Sequence, residues 1–178
     1  MKQFLAVAFA LAFSLLCFAG CSGKNEPAPA SSDEPTPVVT ISAQDKFNTV
    51  ASETGIDVGG EWNSIGDDYM AWLGFDGSEY TDYAGAFKSG AVDVVILVVP
   101  AEGKTEDVKA LLQKQLDTLI GQNENYPGVN KDKVDAGQII ETEDGFVALC
   151  IYGDDVVVES DGAETALAPL INAVKAVG

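Results

Sequence analysis

The stretch AVDVVILVVP, residues 91–100, constrains the fold more than any other part of the chain. Most of its residues are β-branched, which favours a strand, and Pro100 ends the run. Because apolar residues follow one another rather than alternate, both faces of the strand need cover, or the strand lies in the middle of a sheet. Asp93 is the exception, and its place near the start of the run predicts a position at the sheet rim.

Two amphipathic helices are predicted to cover this strand. The first, over residues 105–120, is capped by Thr105 and stopped by Gly121. The second spans residues 163–177 and contains Pro169. Apolar residues at helical spacing form one face of the first helix: Val108, Leu111, Leu112, Leu116, Leu119 and Ile120.

The other strands are predicted from a turn signal. Asp144-Gly145 lies between apolar runs and indicates a hairpin within residues 134–155. Residues 156–160 (VVVES) predict a further short strand, and residues 122–133 a polar loop. Together these patterns predict a small α+β fold, in which helices pack on a mostly antiparallel sheet of three or four strands.

Shorter helical elements are expected before the central strand. Ser42 caps a first helix that Gly55 ends, Ser64 caps a short second helix that Gly74 ends, and a helical turn starts near Ser78. Several apolar residues of this region are expected to face the core: Phe47, Val50, Ala51, Met70, Leu73 and one of Trp62 or Trp72.

The amino terminus has the pattern of an export signal. A positive head with Lys2 precedes an apolar run that ends in small residues, which predicts a signal peptide over residues 1–20. The sequence Phe18-Ala19-Gly20-Cys21 resembles the lipobox of bacterial lipoproteins, although Phe18 stands where an aliphatic residue is usual. This resemblance implies that Cys21 receives a diacylglycerol on its sulfur and becomes the mature amino terminus.

A linker is predicted between the lipidation site and the fold. Residues 21–37 are rich in proline and serine and contain no large apolar residue, so they are expected to form a disordered tether. The remaining residues, 38–178, suit one α+β domain with a real core.

Cysteine usage leaves no internal disulfide. The chain has three cysteines, of which Cys17 would leave with the signal peptide and Cys21 would carry lipid. Cys150 then has no partner, and its apolar surroundings (GFVALCIYG) predict a small buried hydrophobic residue rather than a reactive thiol.

The charge excludes several functions. The net charge is −18, and the chain contains no histidine and no arginine. A Ser-His-Asp triad, an imidazole-ligated zinc site and an arginine clamp for phosphate are therefore excluded. Nucleic acid is not expected as a partner, because its binding depends on basic groups. No cofactor is predicted, and the acidity indicates a solvated surface suited to cations.

Three acidic groups are candidate ligands for a hard cation such as calcium. None has the spacing of a calcium loop, so we predict no metal site and interpret them as solvated acids near helix starts and turns. The groups are Asp67-Asp68, Asp76-Glu79-Asp82 and Asp154-Asp155.

Aromatic and lysine side chains offer two further candidates. Aromatic residues among acids can bind cationic ligands through their ring faces, although packing in the core is the commoner role. The candidates are Tyr80, Tyr83, Tyr126 and the two tryptophans. Lys104, Lys109 and Lys114 are expected on the polar face of the helix over 105–120, as solvating charges rather than catalytic bases.

The order of these elements resembles a known family. YMAWLGFDGSEYTDYAG, then VDVVILVVPAEGKTEDVKALLQKQLDTL, then VDAGQIIETEDGFVALCIYGD are similar to the bacterial lipoproteins of the domain of unknown function 4358 family, over roughly residues 44–153. The resemblance implies a small membrane-anchored lipoprotein. The family supplies no activity or site residue that can be carried over to this chain.

Three functions remain open from the sequence. The first is a non-enzymatic lipoprotein on the outer face of the cytoplasmic membrane, which works by contact with another envelope protein or a ligand. The second is a solute- or cation-binding lipoprotein that serves a transporter. The third is an enzyme that uses two carboxylates as acid and base, which requires a cleft where they converge.

Overall fold

The computed structural model describes residues 41–176 of the chain. The predicted signal peptide, the lipidation site Cys21 and the predicted linker lie outside the described residues. The described part contains six helices and five strands. In chain order these are α1 (Ala43–Thr54), β1 (Trp62–Ser64), α2 (Asp67–Leu73), β2 (Tyr80–Lys88), β3 (Val94–Pro100), α3 (Thr105–Asn123), α4 (Val129–Ala136), β4 (Gln138–Glu141), β5 (Val147–Ile151), α5 (Asp155–Asp161) and α6 (Ala163–Lys175).

The strands form one antiparallel sheet with the order β1-β2-β3-β5-β4. The predicted α+β class and antiparallel sheet are confirmed, but the sheet has five strands rather than three or four. The helical turn predicted near Ser78 is wrong, because the chain enters β2 two residues later. Among residues 41–176, no helix is long and apolar enough to cross a membrane.

Strand β3 is the centre of the fold, as its composition predicts. Val95 and Leu97 point into one core, while Ile96 and Val98 point into a second core on the other face of the sheet. Asp93 lies directly before the first residue of the strand, at the predicted place, and it is buried.

Helices α1 and α6 cover the first face of the sheet. Ser42 caps α1 by accepting a hydrogen bond from the backbone N–H of Asp45 at 3.0 Å, and Gly55 ends the helix in a left-handed conformation. Both features confirm the prediction. Phe47, Val50, Leu167, Leu170 and Val174 of these helices are buried in this core, which also contains the small residues Ala84 and Ala86 of β2.

Helices α2, α3 and α4 cover the second face. Val108, Leu112 and Leu116 of α3 are buried in this core, as the helical spacing predicts. The helix continues two residues beyond Gly121, because a glycine that is not forced into a left-handed conformation does not end a helix. Thr105 is the first helical residue and Lys104 the capping position, so the predicted Thr105 cap is wrong.

Three further predictions of local structure are wrong. Ser64 belongs to β1, and Gly66 occupies the capping position of α2. The polar loop over residues 122–133 contains the start of α4. Residues 156–160 form most of α5 rather than a strand, because the Asp154 carboxylate caps the helix by accepting from the N–H groups of Val156 and Val157.

The hairpin is confirmed. β4 and β5 pair antiparallel through the register Ile139↔Leu149, and Gly145 adopts a φ of 91° in the connecting turn. Such a positive φ suits glycine, which explains the strength of the Asp-Gly signal. The final helix is also confirmed, since α6 spans Ala163–Lys175 with Pro169 inside it.

Candidate functional site

An exposed aromatic surface lies where α2 crosses β2, and we call it the α2–β2 surface. It consists of the rings of Tyr69, Trp72 and Phe87 with the carboxylates of Asp67 and Asp68. The indole of Trp72 is 63% exposed, an unusual state for the largest apolar side chain. Tyr69 stands 5.5 Å from Trp72 and 5.0 Å from Phe87, measured between ring centroids.

Residue spacing explains why Trp72 points outward. In α2, Met70 and Leu73 lie three positions apart and are buried, whereas Trp72 lies across the helix from Met70, and Tyr69 is half-buried against the second core. Gly74 ends the helix with a φ of 97°. The outward position of Trp72, and the burial of Trp62, resolve the alternative that the sequence leaves between the two tryptophans.

Gly85 of β2 allows close packing of its neighbours beneath this surface. A Cβ atom on Gly85 would lie 2.3 Å from the carbonyl oxygen of Val95 and 3.0 Å from the Cδ1 atom of Ile65. The backbone N–H of Ile65 donates to the Gly85 carbonyl at 3.0 Å, which holds the segment between β1 and α2 against β2. Gly85 therefore allows β3 and the Ile65 segment to approach β2 closely.

The α2–β2 surface forms an open recess of about 660 Å³. Two aspartates and no lysine are among the residues that line it: Ser64, Gly66, Asp67, Asp68, Tyr69, Trp72 and Phe87. The hydroxyl of Tyr83 donates a hydrogen bond of 2.6 Å to Asp67, which fixes that carboxylate at the edge of the recess. Burial and this bond to Asp67 both raise the pKa of Tyr83 above its ordinary value.

The other candidate aromatic residues are placed differently. Tyr80 and Tyr83 are half-buried and meet edge to face at 5.3 Å, so they pack beside the recess. Trp62 is buried with its ring 5.9 Å from Tyr152. Tyr126 is 73% exposed in the connection between α3 and α4, where it lines a recess with no second aromatic ring. Only part of the predicted aromatic set therefore comes together.

The second acidic group, Asp76-Glu79-Asp82, accepts hydrogen bonds from the backbone of its own fold. Asp82 accepts from the N–H of Ala43 at 2.8 Å, which ties the start of α1 to β2, and from the N–H of Tyr83 at 2.9 Å. Asp76 accepts from the N–H of Ser78 at 2.8 Å. Hydrogen bonding by the Ser78 side chain, and then by this N–H, lowers the pKa of Asp76. Glu79 accepts from the N–H of Asp76 at 3.1 Å.

The third acidic group is also used by the backbone and by a lysine. Asp154 caps α5, and Asp155 pairs with the Nζ atom of Lys133 at 2.6 Å. Within residues 41–176, no group of three or more histidine, cysteine, aspartate or glutamate side chains is arranged to hold a metal ion.

Two buried lysines were missed by sequence reasoning. Lys133 of α4 lies 3.0 and 3.1 Å from the two carboxylate oxygens of Asp93, and both side chains are almost completely buried. The N–H of Gly153 donates to the same carboxylate at 3.3 Å. Lys46 of α1 reaches Asp144 in the β4–β5 turn at 2.5 Å and the carbonyl of Ala176 at 3.2 Å. These pairs join distant elements of the fold.

The lysines singled out from the sequence lie at the surface. Lys104 pairs with Asp107 at 2.7 Å, and Lys109 pairs with Glu106 at 2.9 Å and with Glu141 of β4. Each pair raises the pKa of its lysine, which keeps the ammonium charged. Neither lysine is therefore prepared to act as a base.

Cys150 is fully buried in the core between the sheet and α6, as its sequence context predicts. Burial raises the pKa of its thiol to about 12, so the reactive thiolate is scarce at neutral pH. Cys150 is thus a packing residue.

A second recess, of about 540 Å³, lies between α1 and the edge of β2. Its polar lining is uncharged, with Gln44, Asn48 and Ser52 on one side of α1 and Ser64 across the recess. The Asp82 carboxylate accepts a hydrogen bond from the outward-facing N–H of Tyr83 at this edge. Because that donor is already used, β2 is less able to pair with another strand here. The α2–β2 surface is therefore the stronger candidate.

Comparison with known proteins adds no further assignment. No protein-family model, curated protein or solved structure matches the chain. The resemblance to the domain of unknown function 4358 family stays a prediction from the sequence.

Proposed function

We propose that this protein is a lipid-anchored extracytoplasmic lipoprotein whose folded part works without catalysis, by binding another protein of the cell envelope. The anchor is inferred from the lipobox-like sequence at Cys21. The binding role rests on one observation, which is the 63% exposed indole of Trp72 beside the rings of Tyr69 and Phe87. Tryptophan and tyrosine contribute strongly to protein–protein interfaces when they become buried by a partner.

The surroundings of Trp72 support a binding surface. Met70 and Leu73 hold α2 in the second core, so the exposed Trp72 ring stands on a helix that packing keeps in place. The stack between Tyr69 and Phe87 limits the freedom of both rings before any partner arrives. A preformed apolar surface loses little conformational entropy on association, which favours affinity.

A membrane tether would also assist binding by a surface of this size. Lipid at Cys21 would restrict the domain to the space near the membrane and raise its effective concentration toward other membrane proteins. A modest surface such as this one is then sufficient for association.

Photo-crosslinking in intact cells tests this function. A photoreactive residue replaces Ala71, an exposed position next to Trp72 on α2. We expect an adduct of defined mass with one envelope protein, and we expect Trp72→Ala to reduce its yield about tenfold, as for an interface hot spot.

The matched control is Tyr126→Ala, because Tyr126 is also a highly exposed aromatic residue but lies in the connection between α3 and α4. This variant should leave the adduct unchanged. An adduct whose yield is the same with Trp72→Ala as with Tyr126→Ala would contradict the proposed function, as would the absence of any adduct from position 71.

A further inference from the structure

The α2–β2 surface combines aromatic rings with uncompensated negative charge. Asp67 and Asp68 lie in the first turn of α2 and both line the recess. Among the described residues, no lysine lies within salt-bridge distance of either carboxylate. The nearest strand lysine, Lys88, is instead paired with Glu61 at 2.7 Å. The recess therefore offers carboxylates that no cation of the described fold neutralises.

The rings provide the second half of a cation site. A lysine or arginine side chain is attracted to the face of an indole or phenol ring, and tryptophan is the strongest of these acceptors. Trp72 is exposed and stands next to the carboxylates of its own helix. A guanidinium group is planar and hydrogen-bonds to a carboxylate while it stacks on a ring, so it suits this combination better than an ammonium group.

The shape of the site favours a polypeptide over a small cation as its ligand. Tyr69 and Phe87 stack on each other at an interplanar angle of 20°, so their inner faces are occupied and the rings do not enclose a cage. The recess is open to solvent along one side of α2. An open surface binds a side chain that a longer backbone holds in place better than it binds a free small molecule.

We propose that the α2–β2 surface binds an arginine-containing basic segment of a partner protein, with the guanidinium between Trp72 and Asp68. This inference rests on the proposed function and specifies the chemistry of its partner. The positive charge of such a partner complements the net charge of −18 of this protein, which attracts basic segments and repels acidic ones. The aromatic surface localises that general attraction to one place.

The test uses the purified full-length protein in a non-ionic detergent and a fluorescently labelled peptide of alternating arginine and serine. Binding is followed by anisotropy at physiological salt. A peptide with citrulline in place of arginine keeps the shape and loses the charge. We expect the arginine peptide to bind at least about tenfold more tightly than the citrulline peptide.

Two pairs of variants locate the site. Trp72→Ala should weaken binding of the arginine peptide about tenfold, whereas Tyr126→Ala should change it less than about twofold. Asp68→Asn should weaken it about threefold, whereas Glu159→Gln, which removes the same charge from an exposed position on α5, should change it less than about twofold. Thermal unfolding of each variant verifies that the fold is intact.

The outcomes separate this inference from the proposed function. Equal binding of the arginine and citrulline peptides, or equal effects within each pair of variants, would overturn the basic segment as the occupant. If an adduct at position 71 still depends on Trp72 in cells, the binding function stands and its partner has another chemistry. If the peptide binds at Trp72 but no cellular adduct forms, the surface recognises cations and the envelope partner is wrong.

Discussion

Replacing Lys133 by methionine should destabilise the fold by about 3–5 kcal/mol, because it leaves the Asp93 carboxylate buried without its cation. The ammonium of Lys133 contacts both carboxylate oxygens of Asp93, and the side chains are 4% and 3% exposed. The remaining donor to Asp93 among the described residues is the N–H of Gly153 at 3.3 Å. Since small domains are stable by only about 5–15 kcal/mol, such a loss is severe.

Urea unfolding of the full-length chain measures this effect. Lys131→Met is the matched control, because Lys131 lies on the same helix and pairs with Asp135 at the surface, where an ion pair contributes about 0–1 kcal/mol. Adding Asp93→Asn to Lys133→Met should restore part of the stability, because the buried group is then neutral. If Lys133→Met costs no more than Lys131→Met, the buried pair does not hold α4 to the sheet as described.

Replacing Gly85 by alanine should destabilise the fold by about 3 kcal/mol or more, at the upper end of the cost of overpacking. The added Cβ atom would meet the carbonyl oxygen of Val95 at 2.3 Å. That oxygen belongs to the backbone of the central strand, so it cannot rotate away as a side chain does. Strands β2 and β3 would have to separate at the register pair Gly85↔Ile96.

Gly121→Ala provides the control for Gly85→Ala. Gly121 lies inside α3, is exposed, and has no atom within 4 Å of the added Cβ. Alanine in a helix interior is favoured over glycine, so this variant should be more stable by about 0.5–1 kcal/mol. A Gly85→Ala variant that unfolds at the same urea concentration as the wild type would contradict the close approach of β2 to β3.

The elements that sequence reasoning found are those with strong local signals. The uniform apolar run of β3, the helical spacing in α3 and the Asp144-Gly145 turn each determine their structure with little help from the rest of the chain. The Ser42 cap and the Gly55 end of α1 belong to the same group.

The elements that sequence reasoning missed depend on contacts between residues far apart in the chain. The centre of β2 is Ala84-Gly85-Ala86, which has low strand propensity. These small residues are explained by the close packing of α1 and of Val95 against them. The three valines at 156–158 favour a strand by propensity, but the Asp154 cap and packing against α6 produce a helix. The polar helix α4 is held by Lys133, whose partner lies 40 positions away.

The candidate site was partly visible in the sequence. The helical spacing of Met70 and Leu73 indicates the core face of α2, and Trp72 falls outside that face. Phe87 could not be added to the site, because the strand that carries it was not recognised. Which acids bind backbone N–H groups could not be read from their spacing either, since Asp82 accepts from Ala43, 39 positions earlier in the chain.

The location of the protein is tested most directly by mass spectrometry of its amino-terminal peptide, isolated from host membranes. Two acyl chains are needed for stable anchoring, because a single chain binds membranes only marginally. The account predicts a chain that begins at Cys21 with a diacylglycerol on the cysteine sulfur, and a Cys21→Ala variant that is not retained on membranes. An unmodified Cys21 at the mature amino terminus, or an intact chain that begins at Met1 in the cytosol, would contradict it.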